Sequence, residues 1–327
     1  MSATIETLRT SAWTGFILRK TGSVVFAFLV LVVLTFIMVL FIPGDPARSI
    51  AGSDASADEL EDIRAELGLT DPLPIRFLHY VTRVFGGGLG QSFRTSEPVA
   101  DILAARLPFT LSVSLAAIAV TLVVAVTLGL VVAALTKGNR RQWLDLAFSW
   151  VTALGGSVPQ YVVGALLVLV FAVTLRVLPA AGANSLASYV LPVTALSIGP
   201  ICAVSRVVRR EAQSVLEQDY MRTARGWRVG VVKQYLKYAL PNLVTSTLTL
   251  TGLILAGMLG GAIIMENIFA WPGLGRGLVE GILQKDYPVI QGIILVLGVI
   301  AILLHTAIDF LLAIIDPRTL RAGKGQH

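Results

Sequence analysis

Few side chains in this sequence are spaced to do chemistry. His305 and Asp309 stand one helical turn apart in the last of several apolar runs. A histidine and a carboxylate so placed inside a bilayer could relay a proton. A single such pair, close to one end of its run, is read instead as a polar contact between helices. The other two histidines are His79, between the first and second apolar runs, and His327. Gly323-Lys324-Gly325 lacks the strand, the first glycine and the hydroxyl that a phosphate-cradling loop needs. The sequence contains no HExxH, no GxSxG and no Cys/His cluster. Cys202, the one cysteine, lies in an apolar run, where it can form no internal disulfide and is expected to pack.

The remaining concentration of polar residues is a helix-prone segment, DYMRTARGWRVGVVKQYLKYALPN, from Asp219 to Asn242. It carries Arg222, Arg225, Arg228, Lys233 and Lys237, with Arg210 just upstream, and long apolar runs flank it. A basic loop between spans belongs on the cytoplasmic side of a membrane. Orientation alone needs fewer cations than this. A structured charged loop is a natural docking element for a soluble partner.

Composition sets the elements that must hold these residues. The chain has 327 residues, of which 55% are hydrophobic and 14% charged, with mean hydropathy +0.78. A soluble domain holds about 25% charged residues, so the chain reads as an all-α integral membrane protein. The sequence pI of about 9.7 reflects cations set between spans and does not point to nucleic acid. Spanning takes about 20 apolar residues. Six runs qualify, at 22–42, 108–136, 146–177, 188–208, 240–266 and 289–315. The first, preceded by Arg19-Lys20, reads as a retained signal anchor. The third holds Gly155-Gly156 and Pro159, which predict a kink or an interfacial first half. Arg206 interrupts the end of the fourth. Glycines and alanines crowd the fifth (Gly252, Ala256, Gly257, Gly260, Gly261, Ala262) and permit close helix contact. With 1–21 inside, 17 of the 26 Lys/Arg fall on cytoplasmic segments, including 209–239 and the tail 316–327.

The first external loop, 43–107, carries structure signals of its own. Ser56-Ala-Asp-Glu59 is a capping box, followed by Leu60, Ile63 and Leu67 at helical spacing and by Gly68 at the stop position. Ile75, Leu78, Val81 and Phe85 predict a second amphipathic helix, ended by Gly86-Gly-Gly88. This loop could cap the outer mouth, dock an external partner, or do both. No internal repeat is visible, and the centres of the second, third and fifth runs carry no charge. Both facts weigh against an ion-coupled carrier.

The sequence resembles the permease subunits of binding-protein-dependent ABC importers, in the dipeptide/oligopeptide/nickel branch of peptide permease B type. Asp219-Tyr-Met-Arg-Thr-Ala-Arg225 is similar to that family's DYxRTAR. Glu266-Asn-Ile-Phe-Ala-Trp-Pro-Gly-Leu-Gly-Arg276, Asp286-Tyr-Pro288, Gln291-Gly292, Asp309 and Asp316-Pro-Arg318 follow its C-terminal pattern. Ile42-Pro-Gly-Asp-Pro46, Glu66-Leu-Gly-Leu69, Gly90-Gln-Ser92, Arg106-Leu-Pro108 and Ser157-Val-Pro159 follow its earlier half. One departure is Arg228, where the family usually has glycine; Gly226 and Gly230 flank it.

The resemblance implies a type I ABC importer permease fold with six transmembrane helices, a long external loop after helix 1 and a cytoplasmic coupling-helix segment. It implies a bacterial inner-membrane subunit with both termini cytoplasmic, itself no enzyme and holding no cofactor. ATP and Mg would belong to two ATPase subunits or domains. A second permease, forming a heterodimer, and an extracytoplasmic solute-binding protein would complete the importer. Asp219, Tyr220, Arg222, Thr223, Ala224, Arg225 and Gly230 would form the ATPase-coupling element, with Ala224 allowing close approach, Asp219 capping the helix and Gly230 opening the turn displaced from Arg228. Peptides, glutathione, opine-type metallophores or nickel are the solutes implied. The alternative is a stand-alone secondary transporter or channel of six spans.

Overall fold

Backbone that crosses a bilayer must satisfy its own hydrogen bonds, so apolar runs of this length close into helices. The computed structural model describes residues 2–52, 55–139, 141–227, 230, 233–234, 238, 252, 254 and 257–315. Its helices are α1 (Ser2–Leu40), α2 (Pro46–Ala51), α3 (Ala57–Glu66), α4 (Leu73–Phe85), α5 (Val99–Leu135), α6 (Gln142–Ser157), α7 (Gln160–Leu167), α8 (Ala187–Glu217), α9 (Asp219–Gly226), α10 (Gly257–Ile268), α11 (Leu274–Gln284) and α12 (Tyr287–Ile315). A π-helical stretch, Val168–Thr174, continues α7. Among the described residues, four helices are long and apolar enough to cross a membrane: α1 from Trp13, α5, α8 and α12. Joining α6 to α7 makes a fifth, bent by 93°. Most of the expected run 240–266 lies outside the described residues, and α10 is its far end.

The helices overrun the apolar runs, because hydropathy marks bilayer thickness and not helix length. α5 starts at Val99 and passes through Pro108, placed in sequence terms at the start of the span. Its extra turns bury Val99 and Leu103 against Leu274, Val289 and Ile293. α8 continues to Glu217, carrying Arg209 and Arg210 past the apolar run.

α5 and α8 lie side by side and parallel, forming the centre of the fold. Ser112 accepts from the Tyr189 hydroxyl at 3.1 Å, and Ser197 donates to the Ala117 carbonyl at 3.1 Å. Gln213 meets Thr136 at 3.4 Å. Such closeness needs small side chains on the contact face. Val113, Ala117, Thr121, Ala125, Gly129 and Ala133 recur every fourth residue of α5, and all are buried. A Cβ on Gly129 would come within 2.8 Å of the Ser205 carbonyl oxygen and of Val208.

α1 and α12 pack antiparallel. Phe16 meets Phe310 edge-on at 5.3 Å, and Gly298 leaves room for Leu31. Lys20 forms an ion pair with Asp309 at 2.5 Å. The loop after α1 folds as the local signals predict. Ser56 Oγ accepts from Glu59 N at 3.2 Å. Gly68 takes φ +65 while its own N–H and that of Leu69 donate to Ala65 and Arg64, a left-handed helix stop suited to glycine. α4 lays Tyr80 against Phe36 and Val32 of α1. Burial there pushes the Tyr80 phenol up to about 12.

The kink expected in the third run is a break. α6 ends at Ser157 and α7 opens after Pro159. α6 lines one half of α8, through an Asp145–Arg209 ion pair and the contact of Gly155 with Cys202. α7 turns to the other half, where Gln160 Nε2 donates to the Leu196 carbonyl at 2.9 Å.

Candidate functional site

The expected coupling residues other than Gly230 lie on α9, at the end of the bundle where α5 and α8 finish. A helix of eight residues does not hold itself together in water, so its docking is what shapes it. Met221 and Ala224, one turn apart, are buried at 1% and 2% exposure. Met221 enters a cluster with Ala133 of α5 and Ala212 and Leu216 of α8, edged by Leu130, Val215 and Tyr238. The opposite face is open: Tyr220 is 39% exposed, Thr223 is exposed, and Trp227, just past the helix, is 75% exposed.

Ala224, expected to allow close approach to a partner, is 2% exposed within the chain. Asp219 is the first helical residue of α9, preceded by Gln218, where a carboxylate suits the positive end of the helix. Gly230 follows in non-helical backbone, and Gln234 N donates to its carbonyl at 3.0 Å. Its φ is not left-handed and a Cβ there would meet nothing within 4 Å, so neither torsion nor crowding demands glycine. The side chains of Arg222 and Arg225, and all of Arg228, lie outside the described residues.

A polar shelf supports α9. Lys137, in the turn after α5, donates to the Leu216 carbonyl near the end of α8 at 3.0 Å. Arg209 of α8 pairs with Asp145 and lies over the Phe148 ring at 5.6 Å. Thr136, Gln142, Gln213 and Glu217 join Lys137 and Asp145 around a cavity of about 370 Å³.

The opposite end is a scaffold made by the C-terminal motif. Glu266 is 1% exposed, and its Oε2 accepts from Gly275 N at 2.6 Å and Arg276 N at 3.2 Å. It thereby caps α11 from the end of α10. Gly273 and Gly275 leave the space its carboxylate fills. Trp271 is fully buried, donates Nε1–H to the Phe109 carbonyl at 3.0 Å, and packs edge-on against Tyr189 at 4.6 Å. Glu280 pairs with both Arg106 (2.8 Å) and Arg276 (2.9 Å). Asp286 accepts from Ser92 Oγ at 2.5 Å and Phe93 N at 3.1 Å, which pins the segment before α5 to the start of α12. Asp45 takes two bonds from Arg64, at 3.0 and 2.7 Å, and these hold the Arg64 guanidinium above its ordinary pKa.

Residues 125–321, more than half of the chain, match the family described as the binding-protein-dependent transport system inner membrane component. The chain belongs to that family. Residues 14–114 match the N-terminal part of such membrane components. A putative peptide transport system permease protein of Brucella suis biovar 1 (strain 1330) is 38% identical over 313 residues, covering 93% of this chain and 98% of the relative. The glutathione transport system permease protein GsiC of Escherichia coli O6:H1 (strain CFT073) is 37% identical over 303 residues, again covering 93% and 98%. A solved structure of the MetNI methionine ABC transporter, in inward-facing conformations, superposes with TM-score 0.58 at 16% identity. It covers 68% of this chain and all of that one. The fold is therefore that of an ABC importer permease, and the chain is a multi-pass membrane subunit.

Within this family fold, Asp309 of the His305/Asp309 pair makes a contact between helices, and His305 is exposed. Asp309 joins α12 to α1 through Lys20, 289 residues away in the chain. Sequence reasoning missed Lys137, Arg209 with Asp145, and the capping role of Glu266. No local pattern marks these. The fourth-residue stripe of small side chains on α5 was open to view and was passed over.

Proposed function

We propose that this chain forms one half of the translocation path of an ATP-driven importer for di- or oligopeptides or a peptide-like solute such as glutathione. A second permease supplies the other half, and an extracytoplasmic binding protein delivers solute at the end carrying α2–α4 and α11. Two ATPase subunits bind ATP and Mg and dock at α9. The subunit sits in the inner membrane with both termini in the cytoplasm. The observation that carries the coupling assignment is the two-sided placement of α9: Met221 packs into the ends of α5 and α8, Ala224 is buried, and Tyr220, Thr223 and Trp227 are left exposed. A short helix fixed on one face and open on the other passes movement from a partner into the bundle.

The names of the relatives support the solute class. The stand-alone carrier finds no such support. The test is reconstitution. The chain with its companion permease, the ATPases and the binding protein should take up solute only with ATP, and the chain alone should not. Arg225→Glu should weaken ATPase-subunit binding about tenfold or more, since charge-assisted bonds contribute roughly 1.5–3 kcal/mol. Unaltered assembly and uptake would remove α9 as the contact. The ligand profile of the cognate binding protein decides among peptides, glutathione, metallophores and nickel.

A further inference from the structure

α4 lies back along α1 where that span ends. Phe77 meets Phe36 at 5.1 Å and Phe85 meets Phe28 at 5.9 Å, both edge-on, so the two helices run antiparallel. The outward side of α4 is apolar: Leu73, Ile75, Leu78 and Phe85 are exposed. A helix with such a face beside a span lies among lipid. Arg76, Tyr80 and Arg83 of α4 all border one cavity of about 380 Å³ between α1, α4 and the start of α12. Residues three and four apart share one side of a helix, so the three form a polar stripe on that side.

The chain leaves these three groups underused. Among the described residues, neither Arg76 nor Arg83 forms an ion pair. Arg83 Nε–H donates to the His79 carbonyl of its own helix at 3.2 Å. The Tyr80 hydroxyl is buried without a hydrogen-bond partner, on a side chain 5% exposed. Thr35 stands beside it but gives its own proton to the Leu31 carbonyl at 2.7 Å. A buried hydroxyl left unmade costs free energy, and so does an unpaired guanidinium among lipid. One anion with several oxygens satisfies all three donors. The lining has a single carboxylate, Glu66, and His79 faces Asp71 at 3.9 Å. Arg76 and Arg83 against Glu66 leave the lining one positive charge in excess.

We propose that this cavity binds the phosphodiester headgroup of an anionic phospholipid, such as phosphatidylglycerol, from the leaflet on the side that carries α2–α4. Arg76, Arg83 and Tyr80 donate to the phosphate oxygens, and the acyl chains lie along the apolar sides of α1 and α4. The place favours a lipid over free phosphate, because Leu40 at the end of α1 borders the cavity and is exposed. The bound headgroup would tie the external loop to the spans. For the test, the chain with its companion subunits, in an uncharged detergent, is titrated with dioleoylphosphatidylglycerol, and retained lipid is counted by native mass spectrometry. Arg76→Gln with Arg83→Gln should weaken the tightest-bound lipid about tenfold or more, since charge-assisted bonds are lost. Tyr80→Phe keeps the ring against Phe36 and should weaken it about threefold. Glu66→Gln removes a repelling carboxylate and should strengthen it about threefold. Dioleoylphosphatidylcholine, with no net charge, should bind about tenfold more weakly than dioleoylphosphatidylglycerol. Unchanged retention in the double arginine variant, or equal retention of the two lipids, overturns the proposal. Displacement by excess inorganic phosphate would make this a free-phosphate site and overturn the lipid assignment. If the double variant fails to assemble, Glu66→Gln decides, and no gain in lipid affinity there overturns the proposal.

Discussion

Met221→Ala tests whether α9 is a lever held by the bundle. Met221 is 1% exposed and packs on Ala133, Ala212 and Leu216. Truncating a buried methionine costs about 2–5 kcal/mol. An eight-residue helix has little stability of its own, so the cost falls on docking. Each 1.4 kcal/mol is tenfold, and the lower bound therefore shifts the docked fraction about thirtyfold. Amide exchange over 219–226 in the assembled importer should accelerate by at least that factor, with the interiors of α5 and α8 unchanged. Solute moved per ATP should fall while hydrolysis continues. Thr223→Ala, on the open face, should stay within about 0.5 kcal/mol of the parent. Ala224→Glu should exceed Met221→Ala, because it would bury an unpaired carboxylate. Unchanged exchange in 219–226 and unchanged coupling in Met221→Ala would refute the lever.

Four further outcomes concern other parts of the chain. Lys20→Met should cost about 1–3 kcal/mol in thermal unfolding, and adding Asp309→Leu should recover part of it; His305→Asn should leave uptake intact, and its loss with ATP hydrolysis preserved would revive the proton relay. Glu266→Ala strands a buried and a part-buried N–H group of α11 and should cost about 2–5 kcal/mol, whereas Glu266→Gln keeps an acceptor and should cost less than half of that; equal losses would reject the capping role. Single cysteines at Ser56 and Gly323, in a Cys202→Ser background, should label from opposite sides with an impermeant reagent, Ser56→Cys from outside; the reverse pattern overturns the orientation.

The sequence made its local features legible because their causes are local. Ser56 and Gly68 bound α3, and Pro159 breaks the third run, since a hydroxyl cap, a left-handed stop and a missing N–H act within one turn of the chain. Contacts that depend on the fold could not be read this way. Lys20 finds Asp309 only when α1 and α12 pack. Glu266 finds the N-terminus of α11 only after the chain reverses at Trp271. Hydropathy also does not say which side of a short polar helix turns inward, so the burial of Met221 and Ala224 on α9 is visible only in the fold.

The stripe on α5 bears on mechanism more than any motif residue does. Small side chains from Val113 to Ala133 bring two backbones together over about half of a long helix. Surfaces packed so closely do not slide continuously; they move together or separate. Lys137 ties the end of α8 back to the turn after α5, and α9 rests on both helices. A force applied to the open face of α9 therefore acts on α5 and α8 as one body. At the other end, that body meets Trp271, which holds Phe109 of α5 and Tyr189 of α8 together. The break at Pro159 and the Gln160–Leu196 bond lie between these fixed ends.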